Sequence, residues 1–102
     1  MSVFLDIVRY ERSGKRKRTV DITKADLEDA AKQIPRFKVV HAHGQTAVQM
    51  GRGNLFAVLE EGILSSQIFF DETDVDQLLG ALKKLAGKIP GAVVETEDGQ
   101  EC

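Results

Sequence analysis

The sequence predicts an α+β domain, an antiparallel sheet of about six strands with two helices on one face, in the order β-β-α-β-β-β-β-α. Two segments repeat apolar residues at helical spacing, and each opens with Thr-x-x-Asp. The remaining apolar segments alternate with period two between turn-forming residues, as half-buried strands do. At 102 residues, 42% hydrophobic and 29% charged, the chain has the size and balance of one ordinary globular domain. Residues 1–91 are expected to form that domain, and residues 92–102 a short edge strand or a mobile acidic tail.

From Val3 to Tyr10 only Asp6 and Arg9 interrupt a run rich in Val, Phe, Ile and Tyr, the composition of a strand. Ser13-Gly14 offers a turn, and Thr19-Val20-Asp21-Ile22 alternates on the way back, so residues 3–22 read as a hairpin with a charged distal end. Thr23-x-x-Asp26 is a capping box with Asp in place of Glu, and Leu27, Ala30, Ala31 and Ile34 form one helical face that Pro35 terminates. Next, Phe37, Val39, His41 and His43 are placed on one strand face, Gly44-Gln45 in a turn, and Thr46, Val48 and Met50 on a further strand. Gly51-Arg52-Gly53-Asn54 reads as a bend, since it has too few glycines for a phosphate cradle. Leu55 to Leu59 and Ile63 to Phe70 flank Glu60-Glu61-Gly62 and are expected to be central strands. Thr73-x-x-Asp76 repeats the capping signature, Val75, Leu78, Leu79, Leu82, Leu85 and Ala86 make an apolar stripe, and Gly87 and Pro90 stop the helix. Ala92 to Glu95 can add an edge strand.

The net charge of −2 conceals a segregation along the chain. Residues 1–59 hold 11 Lys and Arg against 6 Asp and Glu; residues 60–102 hold 3 against 10. A protein polarised in this way can steer an oppositely charged partner, but it is no polycation of the kind that coats nucleic acid. The N-terminal residues have no basic leader, and Asp6 interrupts their apolar run, so neither a signal peptide nor a membrane span is expected and a cytoplasmic location follows. The single cysteine, Cys102, excludes an intrachain disulfide.

Three clusters invite a functional reading. Arg12, Lys15, Arg16, Lys17 and Arg18 can contact phosphates, although with Tyr10 as the nearest aromatic the cluster lacks a base-reading pattern, and a solvated tip is the commoner state of such a run. His41 and His43 can meet a metal only with a third ligand, and no Cys or carboxylate stands at a zinc-site spacing; neither a metal nor another cofactor is expected. Nor does a serine elbow or nucleophilic cysteine accompany them as a catalytic partner. Glu60, Glu61, Asp71, Glu72, Asp74 and Asp76 are explained locally by a β-turn and by helix capping, or functionally by an acidic surface facing a basic partner. The last four are not a calcium loop, because the required glycine and closing glutamate are missing.

The stretch Ile7-Val8-Arg9-Tyr10-Glu11, a polar turn, and Arg18-Thr19-Val20-Asp21-Ile22-Thr23-Lys24-Ala25-Asp26-Leu27-Glu28 resembles the opening of bacterial immunity proteins that neutralise polymorphic toxins. Those proteins begin with a charged hairpin and a short capped helix, followed by an antiparallel sheet and a later helix. The resemblance covers the first third by residue pattern and the remainder by element order. It implies a non-enzymatic protein that occludes a partner's active site but transfers no binding residue; the acidic residues 60, 61, 71, 72, 74 and 76 are the surface that the charge pattern offers for that role. The alternative is a nucleic-acid-binding module using the basic hairpin 9–18. Pairing of an exposed edge strand with a second copy would make a homodimer.

Overall fold

The computed structural model describes residues 2–50, 55–69 and 72–102. These residues have the predicted α+β architecture, with seven strands and two helices: β1 (Ser2–Ser13), β2 (Arg16–Val20), α1 (Lys24–Lys32), β3 (Lys38–Ala42), β4 (Gln45–Met50), β5 (Leu55–Glu60), β6 (Ile63–Phe69), α2 (Glu72–Ala86) and β7 (Ala92–Thr96). All strand pairs among them are antiparallel.

β1 is the organising strand. Ile7 is paired with both Leu64 of β6 and Val94 of β7, which therefore occupy opposite edges of β1. Arg9 is paired with both Val20 of β2 and Ala92 of β7, so β2 lies on the same edge as β6 and follows it end to end. The junction is closed by the Ile22 N–H donating to the Gly62 carbonyl at 2.9 Å. From β6 the sheet continues through β5 and β4 to β3 at the far edge.

Side chains alternate across a strand and paired residues share a face, so one buried residue fixes the orientation of its neighbours. Leu5 and Ile7 of β1, Leu64 of β6, Ala57 of β5, Val48 and Met50 of β4 and Val94 of β7 are all buried on one face. The helices cover that face with the stripes read from sequence: Leu27 and Ala30 from α1, which ends at Lys32 and not at Pro35, Ile34 from the turn that follows it, and Leu78, Leu82, Leu85 and Ala86 from α2. Packing joins α1 to β3 and β4, and α2 to β7 and β1. Helix α1 starts with the predicted capping box: the Asp26 N–H donates to Thr23 Oγ1 at 3.2 Å and the Thr23 N–H to Asp26 Oδ2 at 2.9 Å.

Several local expectations are corrected. The hairpin strands reach almost to their tip, because β1 and β2 are joined by the two-residue loop Gly14–Lys15 with Gly14 at φ +64°, the glycine-first arrangement of a type II′ turn. His43 is not on the strand face of His41. Ala42 pairs with Gln45, and His43 and Gly44 form the turn at φ +54° and +76°; His is among the residues that tolerate this left-handed conformation. Glu61 and Gly62 repeat the arrangement between β5 and β6, at φ +51° and +80°. Helix α2 begins at Glu72, so Thr73 lies inside its first turn and is not its cap. The bend predicted at 51–54 falls outside the described residues. Residues 97–102 turn back along β7: the Thr96 N–H donates to the Gln100 carbonyl and the Cys102 N–H to the Val94 carbonyl, at 2.9 and 2.8 Å.

Candidate functional site

The two helices leave the other face of the sheet uncovered. Strand β1 presents Phe4, Asp6, Val8, Tyr10 and Arg12 there, the residues out of phase with buried Leu5 and Ile7. By register the same face carries Val93 and Glu95 of β7, Ile63 and Ser65 of β6, Phe56, Val58 and Glu60 of β5, Ala47 and Gln49 of β4, and Val40 of β3. Phe4 and Phe56 are 37% and 46% exposed, and Val40, Ala47, Val58, Ile63 and Val93 are half-buried. In the row through Asp6 the face is polar at Glu95, Asp6 and Ser65 and apolar at Val58, Ala47 and Val40.

A polar ladder borders this apolar area. Lys17 of β2 places its ammonium 3.9 Å from the centre of the Tyr10 ring, and the Tyr10 hydroxyl donates to Glu95 Oε2 at 2.5 Å. That bond is the main reason the Tyr10 phenol is pushed up to about 12, with burial and the charges of Glu95 and Glu101 adding to it. Glu95, only 8% exposed, is paired across the sheet with Asp6, and its outer side is bridged by Glu101 of the returning segment. Burial pushes the Asp6 carboxyl above its ordinary value; a hydrogen bond with Ser65 opposes this, and the negative charges of Glu95 and Glu60 reinforce it.

A raised carboxyl value in the fold means that folding is favoured below the unfolded value of about 3.8, and that this contribution is lost as pH rises through the raised value. Asp6→Asn keeps an acceptor for Ser65 and removes the charge. It is expected to stabilise the protein at pH 7 in urea unfolding, with the gain fading toward pH 3; equal midpoints at pH 7 would contradict a repulsive carboxylate cluster.

The acidic surface predicted from sequence divides in two. Glu60 and Glu61 stand exposed at one end of β6, whereas α2 begins beyond its other end, about 20 Å away over seven residues. Glu60 joins Asp6 and Glu95 instead. Glu72, Asp74 and Asp76 lie in the first turns of α2, with Asp76 exposed, and Asp71 is outside the described residues. Sequence reasoning misses Asp6, Tyr10, Ser65 and Glu95, because their grouping depends on β1 pairing with β7, at the two ends of the chain. The alternation of Phe4, Asp6, Val8, Tyr10 and Arg12 is the signal that could have marked the open face.

Arg12, Lys15, Arg16, Lys17 and Arg18 are brought together at the exposed hairpin tip. Arg12 and Lys17 are paired and share the open face; Arg16 and Arg18 are on the opposite one, where Arg18 Nη2 meets Glu11 Oε2 at 3.2 Å. Arg9 is not part of this group, since its Nη1 lies 3.0 Å from Asp26 Oδ2 and ties β1 to the start of α1. The Thr23 backbone N–H and the Arg9 charge hold the Asp26 carboxyl below its ordinary range.

The histidines are not brought together. His41 faces the helices, with Nδ1 at 3.0 Å from Thr46 Oγ1 and Nε2 at 3.5 Å from Glu28 Oε1, while His43 is exposed in its turn. Among the described residues no group of three or more His, Cys, Asp and Glu side chains is placed to hold a metal ion. No helix among them is long and apolar enough to cross a membrane.

Comparison with protein-family models, with curated proteins and with solved structures returned no match.

Proposed function

We propose that this chain is a non-enzymatic, cytoplasmic binding protein that docks a protein partner on its open sheet face, as an immunity protein would in blocking the basic active-site cleft of a toxin. The observation that carries the reading is the open face itself, where exposed Phe4 and Phe56 and the apolar row Val58, Ala47 and Val40 stand beside the carboxylates Asp6, Glu60 and Glu95. Exposed apolar patches rimmed by polar groups characterise interaction surfaces, and clustered carboxylates speed encounter with a cationic partner. A partner cation placed beside Asp6 would also relieve the repulsion that the sheet imposes on that cluster. Glu61 extends the acidic rim at the β5–β6 turn.

The test is a search of the neighbouring genes for a toxin-like product, followed by stopped-flow association with that product. Glu60→Lys with Glu61→Lys should slow association about tenfold at low salt while changing dissociation little, and Phe56→Ser should speed dissociation. Failure to form a complex or to protect cells on co-expression would refute the toxin-inhibitor reading. Association unaffected by the charge reversal would remove the acidic rim from the interface.

A further inference from the structure

We infer that the basic hairpin is a second, separate binding element, a two-stranded ribbon that enters the major groove of duplex DNA. The shape of the hairpin and the distribution of its charges both point to that ligand.

The ribbon stands clear of the rest of the sheet. On the β7 side the last backbone bond to β1 is the Tyr10 N–H donating to the Gly91 carbonyl at 2.9 Å, and on the β6 side pairing ends at Ile7 with Leu64. Beyond Tyr10, among the described residues, 11–13 pair only with 16–18, so about 10 Å of ribbon projects, close to the roughly 8.5 Å depth of the major groove. Two strands about 4.8 Å apart, with their side chains, also match the groove's width of about 12 Å, which admits a β-ribbon.

The cations are distributed over the whole tip. Arg12 and Lys17 lie on one face, Arg16 and Arg18 on the other, and Lys15 is in the turn. A ribbon entering tip first therefore meets the phosphates of both groove walls. Glu11 accepts from Arg18, and Tyr10 supports Lys17, leaving a net charge of +4 over residues 11–18. At the base of the ribbon the pattern reverses: Asp21 packs against Gly62, and Glu60 and Glu61 are in the adjoining turn. Those carboxylates repel the phosphate backbone and confine DNA contact to the tip, which explains how a protein of net charge −2 can present a local polyanion site. The chemistry required of the ligand is a wide groove lined on both sides by phosphates. B-form DNA provides it, whereas the major groove of A-form RNA is too deep and narrow for the ribbon.

Fluorescence anisotropy with a labelled DNA duplex of about 20 base pairs, and with the RNA duplex of the same sequence, tests this over a range of NaCl concentrations. Four neutralised phosphates predict a slope of log K against log salt of about −3.5 for DNA. Lys15→Ala should reduce the slope by about 1, and the combined Arg12→Ala, Lys15→Ala, Arg16→Ala and Lys17→Ala variant should lose binding at all but the lowest salt. These side chains are exposed, so unchanged circular dichroism and melting temperature are expected for each variant. The DNA duplex should be bound at least about tenfold more tightly than the RNA duplex. Absence of DNA binding at low salt, binding indifferent to the substitutions, or equal binding of the RNA duplex would each overturn the inference. Lys15→Ala, in the turn and off the open sheet face, and Arg16→Ala, on the opposite face, keep this readout separate from docking of the protein partner.

Discussion

Ile7→Ala is expected to lower stability by about 3–4 kcal/mol, seen as a shift of the urea midpoint and a fall in melting temperature of roughly 15–25 °C. Ile7 is fully buried, and its backbone is paired on one side with Leu64 and on the other with Val94. Its side chain belongs to the cluster that joins the sheet to both helices. Truncation removes apolar contact area and leaves a cavity that paired strands on both sides cannot close. Tyr10 and Arg12, on the opposite face of the same strand, should tolerate alanine far better. A loss below about 1 kcal/mol at Ile7 would contradict the β1 register, because a one-residue slip exchanges the two faces.

Gly91→Ala is expected to cost about 2–4 kcal/mol, again measured by urea unfolding. Gly91 is held at φ +79°, a conformation that disfavours any L side chain by about 1–2 kcal/mol. An added Cβ would also run into the carbonyl oxygen of Tyr10, a backbone atom with little freedom to move, where the Gly91 carbonyl receives the Tyr10 N–H. Gly14 supplies the control. It has a similar φ of +64°, and a Cβ added there would meet nothing within 4 Å, so Gly14→Ala should cost only the conformational component of about 1–2 kcal/mol. Equal losses at the two positions would show that the contact between the β7 entry and β1 contributes nothing.

Signals are legible in the sequence wherever the chemistry is local. The Thr23–Asp26 capping box, the apolar stripes of α1 and α2 and the order of the elements follow from neighbours three or four residues apart, and they reappear in the structure. Glycine-dependent turns are less completely legible. His43-Gly44 takes the positive φ pair that Asn-Gly commonly supplies, and alternation alone places His43 one step too far along the strand. Apolar composition understates the length of β1 because Glu11, Arg12 and Ser13 are polar; they stay in a strand because β2 supplies their backbone partners. The acidic groups are the least legible. Glu60, Glu61, Glu72, Asp74 and Asp76 sit in one half of the sequence, yet seven residues of β6 separate the first two from the rest. Glu60 instead joins Asp6, which comes from the half with excess positive charge.

The end-to-end placement of β6 and β2 along one border of β1 also governs how the molecule is assembled. The β1–β2 hairpin can form as soon as its own residues exist, whereas the adjoining stretch of the same border stays bare until β6 arrives, and the opposite border until β7 does. Closure of the long strand is therefore the latest and most non-local event, the kind that slows folding through the entropy of bringing distant segments together. In the interval the half-finished strand offers unpaired amides to any passing chain. Its charged outer segment, already zipped onto β2, is the stretch of that strand whose pairing needs no distant residue.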